Sequence, residues 1–379
     1  MLPVAALSLG VWLYLVFGRG GFWLALEREA GAPAPFEWPD VVAVIPARDE
    51  AGSIAATVGS LLSQDYPGRF RIVLVDDEST DGTAAVARRA AQELEAAERL
   101  EIVGGSATPP GWTGKLWAVA QGVARAERPR YLLLTDADIA YAPGALSGLA
   151  ARAEAEGLVL NSLMARLRCE SFPEHFAIPA FVFFFQMLYP FAWASDAKRK
   201  TAAAAGGCML VRRDALDAAG GIEAVRGALI DDCALARLLK RHGPIRLSLA
   251  DRVSSLRRYP DFGEIRAMVV RSAYAQLSYS RALLGFTVAA MALVFVAPVA
   301  AALIGHAAAR ACGLTAWLLM ATAFQPTLRD YRVSPLLGFA LPAIAALYTV
   351  YTIQSALASA RGQGGLWKGR LQERGARSL

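Results

Sequence analysis

Three long stretches of the chain, residues 282–309, 311–328 and 333–360, contain no Asp, Glu, Lys or Arg. Helices of soluble proteins seldom run so far without a charge, and a membrane-spanning helix needs about 20 mostly apolar residues. The first and third stretches exceed that length and the second is marginal, so the pattern predicts a C-terminal transmembrane region of two to three helices over 282–360. Residues 1–18 are also uncharged, and the apolar run resumes at 20–26 after Arg19. No basic segment precedes this run, and it is long for the core of a signal peptide. It therefore predicts a retained N-terminal membrane anchor over residues 1–26. For each stretch the alternative is a buried helix in a soluble bundle. These ends lift the composition to 55% hydrophobic and 19% charged, where an average soluble domain has about 45–50% and about 25%.

The net charge of +6 is too modest to indicate a nucleic-acid partner, and most of it is local. The basic tail 361–379 carries Arg361, Lys368, Arg370, Arg374 and Arg377 against Glu373, which amounts to +4. If residues 27–281 are cytoplasmic, three crossings leave that tail outside, against the positive-inside rule. A re-entrant or interfacial middle stretch would remove the conflict. Four scattered cysteines, without a CxxC spacing, predict reduced thiols and neither a disulfide framework nor a zinc site. The segment 176–195 is rich in Phe, with Tyr189 and Trp193, and Lys198, Arg199 and Lys200 follow it. Aromatic rings beside basic residues suit a helix lying in a membrane interface; a core helix or a span are the alternatives.

Between the ends, short apolar runs alternate with helical patterns. Strands are predicted at 41–46, 71–76, 100–103, 131–135 and 158–164, with helices ending near 64 and at 83–97, 116–126 and 143–155. That alternation predicts an α/β domain with a mostly parallel sheet covered on both faces. Ligands of such sheets bind beyond the carboxyl ends of the strands.

Those strand ends are acidic. The first predicted strand ends in Pro46-Ala47-Arg48-Asp49-Glu50, the second in Asp76-Asp77-Glu78-Ser79-Thr80-Asp81-Gly82-Thr83, and the fourth in Thr135-Asp136-Ala137-Asp138. Three acidic clusters at one sheet edge repel each other and need a cation or hydrogen-bond donors. Asp136-x-Asp138 can present oxygens to Mg²⁺ or Mn²⁺, although a turn or helix cap explains such a pair equally well. Gly111-Trp112-Thr113-Gly114-Lys115 opens a predicted helix and fits an anion-facing loop, without the spacing of a P-loop. Gly206-Gly207 precedes another strand, Gly220-Gly221 ends a short helix, and Asp231-Asp232 begins a helix running to Lys240. By itself a carboxylate at a helix start is a cap.

In this order, over residues 40–280, these motifs resemble the inverting family 2 glycosyltransferases, which have a Rossmann-like GT-A domain that binds a nucleotide sugar. Among them the chain is most similar to membrane-anchored lipid glycosyltransferases. The segment Arg257-Arg258-Tyr259-Pro260-Asp261 looks most like the hopanoid-biosynthesis-associated members, with ceramide and carotenoid glycosyltransferases as relatives. The resemblance implies that Pro46, Ala47, Glu50 and Asp77 line the nucleotide base and ribose and that Lys115 faces the diphosphate. It implies Asp136 near ribose and metal, Asp138 as ligand of Mg²⁺ or Mn²⁺, and Asp232 as general base with Asp231 beside it. The later Gln/Arg-x-x-Arg-Trp motif of many members is reduced here to Arg271, which speaks against a processive polymerase; Arg271 is then a diphosphate contact or, alternatively, a surface or lipid-facing arginine.

The implied reaction moves a sugar, with inversion, from a nucleotide sugar (a UDP-sugar first) to the hydroxyl of a membrane lipid such as a hopanoid or other isoprenoid. Ceramide, diacylglycerol or polyprenyl phosphate are alternative acceptors, and a catalytically silent membrane scaffold is the alternative role. The expected location is the inner (plasma) membrane, multi-pass, with the catalytic domain cytoplasmic.

Overall fold

The computed structural model describes residues 1–362 and the backbone of Leu366–Trp367 and Arg370–Leu371. The basic tail expected at 361–379 thus lies almost wholly outside the described residues. The chain forms two compact units. A sheet unit holds Glu27–Arg168 and Trp193–Arg257, and a helical unit holds Met1–Leu26, Cys169–Ala192 and Arg258–Gly365. Residues 169–192 and 258–280, which the motif order suggested for the catalytic domain, therefore cluster with the helical unit.

The sheet unit has strands β1 (Val41–Ala47), β2 (Phe70–Asp76), β3 (Leu100–Gly104), β4 (Tyr131–Thr135), β5 (Ile139–Tyr141), β6 (Leu160–Arg166), β7 (Cys208–Arg212) and β8 (Ile245–Ser255). Their order is β3-β2-β1-β4-β7-β6-β8-β5. The first four are parallel, as the alternation predicts. The rest of the sheet is mixed, which the sequence pattern did not indicate. β7 runs antiparallel to both β4 and β6, and β5 antiparallel to β8. The long excursion between β6 and β7 releases β7 from the short right-handed crossover that keeps consecutive strands parallel.

β1 shows why the sheet sits at the centre of the unit. All seven of its residues are buried. Val41, Ala43, Ile45 and Ala47 face a core shared with the helix Ile54–Leu62, while Val42 and Val44 face a second core shared with the helix Gly114–Arg125. Side chains alternate between the two faces, so a strand covered on both sides reads as a continuous apolar run. Gly122 lets the second helix approach closely: a Cβ there would lie 2.5 Å from Val44 Cγ1.

In the helical unit, three helices among the described residues are long and apolar enough to cross a membrane: Arg281–Ile304, Ala307–Asp330 and Pro335–Ala360. The middle one, marginal by sequence, is a full 24 residues, because the break falls at Gly305 and not at Arg310. Gly305 has extended backbone that ends the preceding helix, whereas Arg310 continues the next one. The N-terminal helix stops at Gly18, followed by Gly20 and Gly21 at positive φ, so the expected anchor over 1–26 is not one continuous span. Its 17 residues lie at the lower limit for crossing. Arg19 donates to the carbonyls of Met187 (2.7 Å) and Leu188 (3.2 Å), capping the helix Phe172–Leu188.

That Phe-rich helix is a packed element of this unit. Phe183 is fully buried, with ring contacts to Phe22 and Phe324, and Phe184 contacts Phe295 and Tyr348. Its start is a capping box of Ser171 and Glu174, and the buried Glu174 carboxylate also accepts from the Tyr259 amide at 2.7 Å. Gly313 brings two long helices together, since a Cβ there would lie 2.5 Å from the Pro298 carbonyl oxygen. Pro298 has no N–H for the Val294 carbonyl four residues earlier; the indole of the fully buried Trp12 donates to it at 2.8 Å.

Candidate active site

The parallel register brings the acidic motifs to one sheet edge. Ala47 pairs with Asp76, Val44 with Leu134, and the antiparallel pair Thr135–Cys208 places Gly206-Gly207 at that same edge. The donors required to hold so many carboxylates together come mostly from backbone and hydroxyl groups. The Asp49 amide donates to Ser79 Oγ, the Thr80 amide to Asp49 Oδ1 (2.7 Å), the Glu50 amide to Thr83 Oγ1 and the Ala51 amide to Asp81 Oδ2. The loops after β1 and β2 are thereby locked together. Asp77 is fully buried, with Arg48 Nη1 3.5 Å from its Oδ2 and 2.5 Å from its carbonyl oxygen. Ala47 is also buried, and the half-buried Glu50 accepts from Ser53 Oγ at 3.1 Å.

Lys115 is the hub of the remaining carboxylates. Thr113 caps its helix by accepting from the Leu116 amide, which sets Lys115 in the first turn. Its Nζ lies 2.8 Å from Asp136 Oδ1 and 3.2 Å from Asp231 Oδ2. Burial works against its charge, but Asp136 and Asp231 outweigh that and hold it firmly protonated. Lys115, Asp136, Asp231, Pro46 and Gly206 line a small cavity of about 20 Å³ with an apolar wall of Leu134, Met209, Ile222 and Leu235.

Asp231 and Asp232 occupy the first turn of the helix Asp231–Leu239, where the helix dipole favours anions. Asp232 Oδ2 accepts from the Gly206 amide at 3.0 Å and Oδ1 from the Cys233 amide at 2.6 Å. A Cβ at Gly206 would be in ordinary contact with this group, 3.4 Å from Asp232 Oδ2 and 3.5 Å from Lys115 Nζ. Burial and the neighbouring Asp231 carboxylate push the Asp232 carboxyl up to about 6. Asp138 is pushed up to about 6 by burial, then by Asp136 and Glu50, with Arg257 and Lys115 opposing.

Among the described residues no group of three or more His, Cys, Asp or Glu is assembled as a metal site. The donor chemistry nevertheless suits a hard divalent ion. Asp136 and Asp138 offer only oxygens, and the charged form of Asp138 is disfavoured among its like-charged neighbours until a cation balances it. Such ions commonly take the rest of their shell from substrate phosphates and water.

The structure thus brings Pro46, Lys115, Asp136 and Asp231 to one cavity, with Asp232 and Asp138 coupled electrostatically to that group. Arg271 belongs to the helical unit, exposed on the helix Phe262–Gln276, and its assignment to the donor rests on the sequence motif. Sequence reasoning missed two contributors. Arg257, two residues beyond β8, acts on Asp138, and its position at a strand end was the available signal. The Gly206 amide as partner of Asp232 had no signal, because the antiparallel entry of β7 brings it there. All four cysteines are free, as expected.

Residues 42–220 match the family model described as glycosyl transferase family 2. Over those residues the chain is similar to family 2 glycosyltransferase domains. The chain is similar in structure to the mannosyltransferase PcManGT from Pyrobaculum calidifontis, solved with GDP-Man and Mn²⁺. The two share 21% identity and a TM-score of 0.58, over 95% of this chain and 99% of that one, which shows a common GT-A-like fold. Glucosyl-3-phosphoglycerate synthase from Mycobacterium tuberculosis, solved with Mg²⁺ and UDP, aligns at 17% identity and a TM-score of 0.42, over 67% of this chain and 86% of that one. No curated protein matches the chain.

Proposed function

We propose that this glycosyltransferase is membrane-bound and transfers a sugar, with inversion and metal assistance, from a nucleoside-diphosphate sugar to a membrane-lipid hydroxyl. The observation that carries the reading is the pair of carboxylate sets at one sheet edge, Asp136/Asp138 and Asp231/Asp232, joined through Lys115. GDP-Man in the P. calidifontis enzyme supports the donor class, and a UDP-sugar is the first donor to test.

In this mechanism Asp138, with Asp136, would hold Mg²⁺ or Mn²⁺, which would supply positive charge to a leaving diphosphate. Lys115 adds its fixed positive charge beside them. Pro46, Ala47, Glu50 and Asp77 shape the nucleotide side, the buried Asp77 acting through Arg48. Asp232, kept a stronger base by burial and by Asp231, takes the proton of the acceptor hydroxyl as it attacks. One base without a covalent partner gives a single in-line displacement, hence inversion.

The lipid acceptor is supported by the helical unit, whose long helices turn large apolar side chains outward, Phe286, Leu303, Ile304 and Leu336 among them. A hopanoid or other isoprenoid lipid leads on the Arg257–Asp261 resemblance. The test is detergent-purified protein with UDP-glucose and GDP-mannose in the presence of Mg²⁺ or Mn²⁺, alongside mass spectrometry of lipids from cells with and without it. Absence of nucleotide-sugar binding with either metal would overturn the reading.

A further inference from the structure

The helix Asp231–Leu239 and the segment 201–206 lie alongside each other and are tied at both ends. At the helix start, Asp232 Oδ2 accepts from the Gly206 amide. One residue on, Cys233 Sγ donates to the Ala204 carbonyl at 3.8 Å. At the helix end, Lys240 Nζ donates to the carbonyls of Thr201 (2.6 Å), Ala194 (2.7 Å) and Trp193 (3.3 Å). Between the ties, Ala202–Ala205 are buried.

We propose that Lys240 is a positioning residue for Asp232: by gathering three carbonyls at the far end of the helix, it sets the register of 201–206 and so aims the Gly206 amide at the base. A single ammonium that satisfies three carbonyls is not explained as a generic helix cap, because none of the three belongs to its own helix. Burial also lowers its pKa, and Asp196 acts against that shift. Without Lys240, Thr201 loses its tie and the segment is held from its other end, at Ala204, at Gly206 and at Ala205, whose amide donates to Ser162 Oγ at 2.9 Å; a slip of an ångström in the groups around a reacting centre can cost about a hundredfold in rate. The inference rests on Asp232 being the base.

The test uses the full chain in detergent as wild type, Lys240→Met and Lys240→Arg. Hydrogen exchange followed by mass spectrometry reads the amides of 201–206 directly. In Lys240→Met they are expected to exchange at least about tenfold faster while β1 and β4 keep their protection, and Lys240→Arg, which retains several donors, restores them. With UDP-glucose or GDP-mannose, whichever the wild type turns over, kcat is expected to fall about ten- to a hundredfold in Lys240→Met at unchanged donor KM. Arginine should recover most of it. Unchanged exchange at 201–206, or wild-type kcat in Lys240→Met, would refute the role of Lys240. Exchange is read without substrate, so it decides the clamp even where no donor is turned over, an outcome that counts against the proposed function alone.

Discussion

Asp232 is gripped by two backbone amides yet pressed by burial and by Asp231, so its proton affinity and its reach are set by different neighbours. Its carboxyl sits near 6, above the ordinary value of about 4, so a base that must be ionised is lost as the pH falls through about 6. Turnover is expected to show an acidic limb there, read as a pH–rate profile. The stability contribution runs the other way. A carboxyl raised in the folded state stabilises the fold below its unfolded value, and that contribution fades as the pH rises through about 6. Asp232→Asn should lower kcat about a hundredfold or more with donor binding retained, measured by nucleotide release. Near-normal turnover would transfer the role to another group. Asp138→Asn should cut the gain in UDP affinity that Mn²⁺ confers by about tenfold or more, measured by titration calorimetry with and without the ion.

Among the elements, the interface between β1 and the helix Gly114–Arg125 has little slack. Gly122→Ala adds a methyl 2.5 Å from Val44 Cγ1 and 3.1 Å from Val75 Cγ2. Alanine's better helix propensity returns up to about 1 kcal/mol, and overpacking costs about 1–3 kcal/mol. The melting temperature should therefore drop by a few degrees, and a rise would mean that the sheet yields at this point. The parallel half of the sheet was legible because β1, β2 and β4 are buried on both faces and write that burial as unbroken apolar runs. β7 was legible as a strand but not in direction, since direction depends on where the 167–207 excursion returns. β5, three residues long, is too short to show any period. Asp136 and Lys115 were each readable as site residues, but their contact depends on side chains from different elements meeting beyond the sheet edge. The break at Gly305 was hidden because charge was used as the marker, and a helix accommodates Arg310 more readily than an extended glycine.

For the whole molecule, the helical unit predicts how the protein behaves in cells. It is expected to stay with the membrane pellet through an alkaline carbonate wash and to need detergent for release. Recovery in the wash would contradict the membrane reading. Trp12→Phe keeps the ring contact with Phe295 but leaves the Val294 carbonyl without its donor, at a cost of about 1–3 kcal/mol, visible as a lower melting temperature in detergent. That indole bond also bears on synthesis. Its partners are 282 residues apart, and the sheet unit, apart from residues beyond 365, is complete by Arg257. While the ribosome makes the rest, the face of the first helix formed by Ala5, Ser8, Trp12 and Leu15 has no final partner. The helices that cover it emerge after the sheet unit, so the helical unit closes only once that unit has been made, around a helix synthesised before it.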